Sequence, residues 1–338
     1  MPKWKSFKHN GVYFPPEYQW KKLWVKVKGE KFQLDPKQEE MLYAWAKKIN
    51  TPYVKDSVFQ QNFLSDFKKL LPQKSQDITM DDIDVSNIVN YQENEKNLTK
   101  EEKKALATER KKVRESLKEK YGYVEIDGKK DESANWMVEP PGIFMGRGQH
   151  PLRGKWKLRV YPEDIILNLS KDAPIPSGNW KKIIHGNDFM WMASWEDKLA
   201  NKMKYVWPSE GSNLRQKREK EKYDKAMSID DNLDIIRKYI HEGLVSKDEK
   251  TRQIATACYL IDRLVMRVGD EKDEDEADTV GASTLRVEHV KFNPDNIEFD
   301  FLGKDSVRWE KKIHISNADL AFVKNMKEFT QNKKPTDL

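Results

Sequence analysis

Between Met145 and Tyr161 the chain carries five basic residues (Arg147, Arg153, Lys155, Lys157, Arg159) and no acid. Within that stretch Lys155, Lys157 and Arg159 alternate with Trp156, Leu158 and Val160. Successive side chains of a strand point to opposite faces. The alternation predicts a strand that lays three apolar groups on a core and projects three cations together from the other face. Such a face meets either plain solvent or phosphate, and three cations without an acid favour phosphate.

The rest of the charge follows the same logic. Of 338 residues, 62 are Lys or Arg and 56 are Asp or Glu, a formal charge of +6. Spread evenly, that surplus would mean little, but residues 198–225 hold nine basic residues against four acids and 95–120 hold ten against six. The segment 95–120 alone reads as a solvated helix face; three basic clusters in one chain point to a polyanion partner. The segment 270–278 carries seven acids and only Lys272, without the ligand spacing or central Gly of a calcium loop, and reads as an exposed acidic loop.

Several classes fall away. No apolar run approaches the roughly 18 residues of a membrane span, and the first 14 residues lack a signal-peptide apolar region. The lone cysteine, Cys258, excludes an intrachain disulfide framework and a cysteine-clustered zinc site. There is no phosphate-binding Gly-x-x-x-x-Gly-Lys-Ser/Thr sequence, and Gly146-Arg147-Gly148 lacks the third glycine of a dinucleotide fingerprint. The six histidines have no metal-ligand spacing. The expectation is a soluble chain of two or three domains in a reducing compartment, using neither ATP nor an obligatory metal.

Local patterns divide the chain. Leu23, Val25 and Val27 alternate with Trp24, Lys26 and Lys28 before Gly29, predicting a β-hairpin through Leu34. Asp35-Pro36 opens a helix toward Ile49, a second helix covers Val58–Leu71, and residues 73–97 read as loop and short helix. Thr99-x-x-Glu102 is a capping box for a largely solvated helix ending near Gly122. A second box, Ser246-x-x-Glu249, starts a helix whose predicted buried stripe is Ile254, Ala257, Cys258, Ile261, Leu264 and Val265, ending at Arg267-Val268-Gly269. Cys258 is expected there as a packed core thiol. Ile297, Phe299 and Phe301 alternate with Glu298 and Asp300, and the turn that follows places Lys304 at or beside a hairpin tip.

Several segments, in order along nearly the whole chain, resemble the type IB DNA topoisomerases. They are Lys8-His9-Asn10-Gly11-Val12 with Phe14-Pro15-Pro16, the run from Glu139 to Pro151, Pro162-Glu163-Asp164-Ile165 and Asn168-Leu169-Ser170-Lys171-Asp172-Ala173. Later come the run from Arg267 to Lys272, Ala277-Asp278-Thr279-Val280-Gly281, Leu285-Arg286-Val287-Glu288-His289 and the run from Phe299 to Ser306. One such motif would be weak; this many in register is strong.

The resemblance implies an α+β, multidomain clamp around duplex DNA: a mixed β/helical cap, then the start of a mainly α-helical catalytic domain with β-hairpins. Cap subdomain I would be 1–19 with 102–212, cap subdomain II the inserted 20–101, and 213–338 a partial catalytic core. In the family a tyrosine attacks a phosphodiester and becomes linked to the 3′ phosphate, two arginines and a histidine stabilise the transition state, and a lysine protonates the leaving 5′ oxygen. Arg267 matches the first arginine and Lys304 the general acid; their ordinary readings are a helix-end cation and a turn lysine. Arg147 resembles the arginine that enters DNA beside the cleavage site, Asp305 the acid beside the lysine in the camptothecin pocket, and Lys157 a phosphate-contacting cap residue. Arg153, Lys155, Arg159 and Lys204 are further candidate DNA contacts from the basic clusters.

There are departures. Met145 stands where a basic residue is usual, and Ala282-Ser283 where cysteines are common. The second arginine, the histidine and the tyrosine lie well beyond the lysine in the family, so a further C-terminal segment or a small subunit is expected to supply them, with this chain inactive by itself. The expected location is the nucleus in a eukaryote and the cytoplasm or nucleoid in an archaeon. Two other readings stay open, a non-catalytic duplex-binding module on the same scaffold and an unrelated RNA-binding protein; no base-stacking motif supports the latter.

Overall fold

The computed structural model describes residues 2–72, 77–270 and 278–338, so most of the acidic tract lies outside the described residues. The chain divides into two units, 1–145 with 153–222, and 146–152 with 223–338. Its class is α+β, with helices and several small sheets.

The first unit has two hydrophobic cores. One is built on the predicted hairpin, Trp24–Val27 against Glu30–Gln33, with Ile83–Asp84 as third strand. Lys28 and Gly29 take φ of 50° and 87°, the left-handed pair that a two-residue hairpin turn requires. Helices α1 (Pro36–Ala46), α2 (Ser57–Lys68) and α3 (Ser86–Lys96) cover it. Asp35 caps α1 by accepting from the N–H groups of Lys37 and Gln38 while the Gln38 side chain accepts from the Asp35 N–H, a reciprocal box that satisfies the free end of the helix. On α2, Phe59, Phe63 and Phe67 recur every four residues and are fully buried, with Phe63 stacked on Trp45. Burying each such ring contributes about 1.5–3 kcal/mol. Gly154 passes directly over this helix at φ +91°, and any Cβ there would strike the Phe59 carbonyl.

The second core lies between a three-stranded sheet (Phe7–His9, Tyr123–Ile126, Lys129–Glu132) and a four-stranded one. The latter runs Lys182–Ile184, Ile166–Asn168, Ala193–Glu196, Met203–Val206, its first pair parallel. His9 is buried between the sheets. Its Nδ1 accepts from the Gly11 N–H at 3.1 Å and its Nε2 faces the Asn168 carbonyl at 3.0 Å, which assigns the proton to Nε2. Burial lowers its pKa to about 4. Helix α4 (Lys100–Tyr121) begins at the Thr99–Glu102 box and buries none of its residues.

Helix α5 (Asn213–Asp231) runs across the unit boundary. The second unit packs α6 (Leu233–Leu244), α7 (Glu249–Leu264) and α8 (Leu320–Thr330) with an antiparallel sheet of Val290–Phe292, Asn296–Leu302 and Arg308–His314. Ile297, Phe299 and Phe301 face its core as their alternation predicts. Tyr259 stacks on Phe322 at 4.6 Å and donates its hydroxyl to Asp319; burial, then that carboxylate, pushes the phenol up to about 12.

Helix α7 differs from expectation in register, cap and end. Its cap is Asp248, which accepts from the Thr251 N–H at 2.8 Å, and not Ser246. Its buried residues are Ala255, Thr256, Tyr259 and Leu260, while Ile254 and Val265 are exposed and Cys258 is half-buried. The two helices cross closely here: a Cβ on Gly243 of α6 would lie 2.8 Å from the Ala255 methyl, so Ala255 faces α6 while Ile254 is exposed. The helix stops at Leu264, where Val265 turns left-handed at φ 55°, three residues short of the expected end.

Candidate nucleic-acid interface

The predicted cationic strand is only partly formed. Gly142–Ile143 pairs with Trp156–Lys157, and the chain then leaves the ladder. Trp156 packs against the first core and Val160 belongs to the second, so the segment bridges the two and leaves Leu158 between them 58% exposed. This corrects the expectation of one apolar face on one core.

Nor do the cations project together into solvent. Each is drawn to acceptors distant in sequence. Arg153 is buried, and its Nε donates to Asp56, the cap of α2, at 2.8 Å. Lys155 lies 3.4 Å from Asp66, whose other oxygen accepts from the Trp156 N–H at 2.9 Å. Burial raises both carboxyls, but the cations and N–H donors outweigh it and hold both below the usual carboxylate range. Lys157 and Lys204 converge on the two oxygens of Glu139, at 3.1 and 3.4 Å, and together lower its pKa against the opposing effect of burial. Lys204, on the strand Met203–Val206, also reaches Asp197 at 3.4 Å. Arg159 donates to the carbonyls of Pro15 (2.8 Å) and Pro16 (3.2 Å) and lies 3.6 Å from Glu40.

In the second unit the arrangement is different. The hairpin Asn296–Leu302/Arg308–His314 turns through Lys304–Ser306, with Asp305 and Ser306 at φ 65° and 58°. Lys304 is exposed at this tip, as expected, and its ammonium has no hydrogen-bond or ion-pair partner among the described residues. Asp305 receives Arg147, and Gly148 lies so close to Ser306 that a Cβ would collide with its hydroxyl. Arg147, Lys304 and Asp305, 157 or more residues apart between the arginine and the turn, are thus brought together.

Arg267 reaches the same neighbourhood through its backbone. The Arg267 carbonyl accepts from the Ala282 N–H at 2.8 Å, and Val268 from the Ser283 N–H at 2.6 Å. Two residues earlier in that strap, the Val280 N–H donates to the Leu302 carbonyl at 2.8 Å, on the strand that leads into Lys304. Gly269 and Gly281 meet where neither backbone tolerates a side chain. The Arg267 guanidinium is exposed and has no partner among the described residues. Because α7 ends at Leu264, Arg267 lies three residues beyond the last helical residue instead of at the helix end.

The strap is anchored by groups to which the sequence assigned no role. Arg286 donates to both oxygens of Asp278 (3.1 and 2.8 Å) and to Glu288 at 2.8 Å. His289 accepts from the Arg286 N–H at 3.1 Å; burial and that guanidinium lower its pKa. The paired Asp278 and Arg286, eight residues apart, were the available signal. Among the described residues no three His, Cys, Asp or Glu side chains converge on a metal-sized site. No described helix is long and apolar enough to cross a membrane.

Residues 2–208 match the eukaryotic DNA topoisomerase I DNA binding fragment, and residues 211–338 match its catalytic core. The chain belongs to the eukaryotic DNA topoisomerase I family. It is 41% identical over 346 residues to DNA topoisomerase 1 alpha of Arabidopsis thaliana, covering 99% of this chain and 37% of that protein. It is 37% identical over 356 residues to DNA topoisomerase 1 of Homo sapiens, covering 99% of this chain and 45% of the relative. DNA topoisomerase 1 of Candidozyma auris is 38% identical over 343 residues, 98% of this chain and 45% of its own length. The chain therefore spans less than half the length of these topoisomerases. Arg147, Arg153, Lys155, Lys157, Arg159 and Lys204 fall in the topoisomerase DNA-binding match, and Arg267, Lys304 and Asp305 in the core match.

Proposed function

We propose that this chain is the DNA-clamp and partial catalytic core of a type IB topoisomerase, which relaxes supercoiled duplex DNA when a segment carrying the nucleophilic tyrosine is supplied. On this reading 1–19 with 102–212 and the inserted 20–101 form the two cap subdomains, and 213–338 the catalytic part. The tyrosine oxygen bonds to phosphorus as the bond from phosphorus to the 5′ oxygen breaks. Arg267 offers a planar fork of donors to the phosphoryl oxygens as charge develops, and Lys304 gives its proton to the leaving 5′ oxygen. Arg147 and Asp305 border the cleavage site, and the basic residues of the first unit follow the phosphate backbone. The tyrosine comes from a C-terminal segment or a small subunit.

The observation that carries this reading is the pair of cations, Arg267 and Lys304, that have no partner among the described residues and are held by one backbone strap inside the catalytic-core match. A cation that the fold does not neutralise is left for a ligand. The test is plasmid relaxation by the purified chain with and without an added C-terminal segment of a homologous topoisomerase. Relaxation and a covalent DNA adduct are expected only with the segment. Duplex binding with neither product under both conditions would make the chain a binding module; relaxation by the chain alone would reveal an unrecognised nucleophile.

A further inference from the structure

Helix α4 presents a face that nothing described in the first unit fills. Its C-terminal turns are tied down: Lys118 pairs with Glu132 and Glu119 with Lys130, each at 2.9 Å, and the Asn10 amide donates to the Lys120 carbonyl at 2.7 Å. Upstream, Leu106, Val113 and Leu117 recur at spacings of seven and four and so share one stripe. That stripe faces residues 134–137 across a groove of about 610 Å³, whose other wall carries Trp136 and Met137. Tyr13 joins the walls, its ring touching Tyr121 of α4 at 5.8 Å and Trp136 at 6.1 Å.

The groove is open and apolar in the same place. Leu106, Val113 and Met137 are 37, 53 and 39% exposed. Single exposed apolar residues need no explanation, but several lining one groove do. The charge beside them is one-sided. Lys103, Arg110 and Arg114 follow one flank of the stripe by helical spacing, and none of their side chains has a hydrogen-bond or ion-pair partner among the described residues. On the other flank Glu102 is occupied by the Thr99 N–H and hydroxyl at 2.8 and 3.0 Å, which leaves Glu109 as the carboxylate open to a partner.

We infer that this groove docks an acidic amphipathic helix of a partner protein. Apolar anchors at helical spacing seat between Val113 and Met137, and carboxylates beside them meet Arg110 and Arg114. A nucleic-acid backbone would satisfy the cations but has no apolar knobs for Leu106, Val113 and Met137, so a protein helix is the better fit.

The probe is a fluorescein-labelled 18-residue helical peptide with Leu or Trp at i, i+4, i+7 and i+11 and Glu on the flanks, titrated by anisotropy with the full chain. Val113→Glu and the double variant Arg110→Glu/Arg114→Glu are each expected to weaken binding at least about tenfold. A scrambled peptide of equal composition is expected to lose as much. Ile175→Glu, an exposed apolar site that does not line the groove, is the control and should bind like the parent. Both altered sites are on the solvent side of a helix, and circular dichroism checks that the variants fold. Equal affinity for the scrambled peptide, or undiminished binding by Val113→Glu, overturns the proposal. So does a loss of duplex DNA affinity in Val113→Glu with peptide binding intact, which would make the groove a nucleic-acid surface.

Discussion

Two groups of basic residues that look alike in sequence differ in what the fold does with them. In the first unit Arg153, Lys155, Lys157, Arg159 and Lys204 each lie within 4 Å of a carboxylate. In the second, Arg267 and Lys304 have fixed backbones and no carboxylate partner among the described residues. A paired cation joins elements of the fold, and must exchange its carboxylate before it can neutralise a phosphate. A cation on a strapped backbone with a free head has met the backbone part of its ordering cost and has no carboxylate to exchange, an arrangement suited to stabilising charge at a transition state. Arg147 is intermediate: it pairs with Asp305, yet remains 68% exposed. The first group is therefore expected to affect stability before chemistry, and the second chemistry before stability.

The largest expected effect lies in the second group. With a tyrosine segment supplied, Arg267→Ala should slow relaxation by about 10²–10³ while leaving the unfolding free energy from urea titration within about 0.5 kcal/mol of the parent. A large stability loss with a near-normal rate would reverse the comparison. Next comes a buried group of the first unit. His9 has a folded pKa of about 4 against 6.5 for the free side chain. The unfolded chain binds the proton first, so stability is full above pH 6.5 and is lost as pH falls toward 4. The loss is about 3 kcal/mol across that window. Urea titrations at pH 7 and 4.5 measure it, and His9→Gln should flatten the profile. A smaller effect is expected for Arg153→Ala, which removes a buried partner from the α2 cap. It should cost about 1–3 kcal/mol of stability, because Asp56 keeps its Phe59 N–H bond at 2.9 Å and some exposure to water.

What the sequence made legible was local. Turns, caps and alternation depend on neighbours a few residues apart, so the hairpin before Asp35, the Thr99 box and the Lys304 tip could be read directly. What it hid depends on partners far along the chain. Lys155, Lys157 and Arg159 show three cations without an acid nearby, but Asp66, Glu139 and Glu40 lie 18 to 119 residues away. Likewise, Ile254 and Ala255 both suit an apolar stripe, and the side that faces inward shows only in contacts with another helix, such as the close approach of Gly243 to Ala255. The residues of the proposed catalytic pair were recognisable by motif, but the strap that relates them was not, since its backbone hydrogen bonds involving Ala282 and Leu302 carry no side-chain pattern and only its anchors, Asp278 and Arg286, and its glycines, Gly269 and Gly281, mark it.

The finest test of the comparison is salt dependence, because it counts the phosphates each cation actually neutralises. Each phosphate contact contributes about −0.9 to the log–log slope of duplex affinity against salt. Lys304→Ala, which removes a cation with no carboxylate partner among the described residues, should flatten the slope by about that amount. Lys157→Ala should change it by less than half as much if Glu139 keeps its hold. In that case Glu139→Gln, which frees Lys157 while Lys204 keeps Asp197, should steepen the slope by up to about 0.9, the single-contact value. Filter binding across 50–300 mM salt on the order used for such slopes separates the alternatives. If Lys157→Ala flattens the slope by a full unit and Glu139→Gln leaves it unchanged, Lys157 already trades Glu139 for phosphate on binding. The two groups would then differ only in the free protein, with the carboxylate acting as a placeholder that keeps Lys157 poised for the duplex.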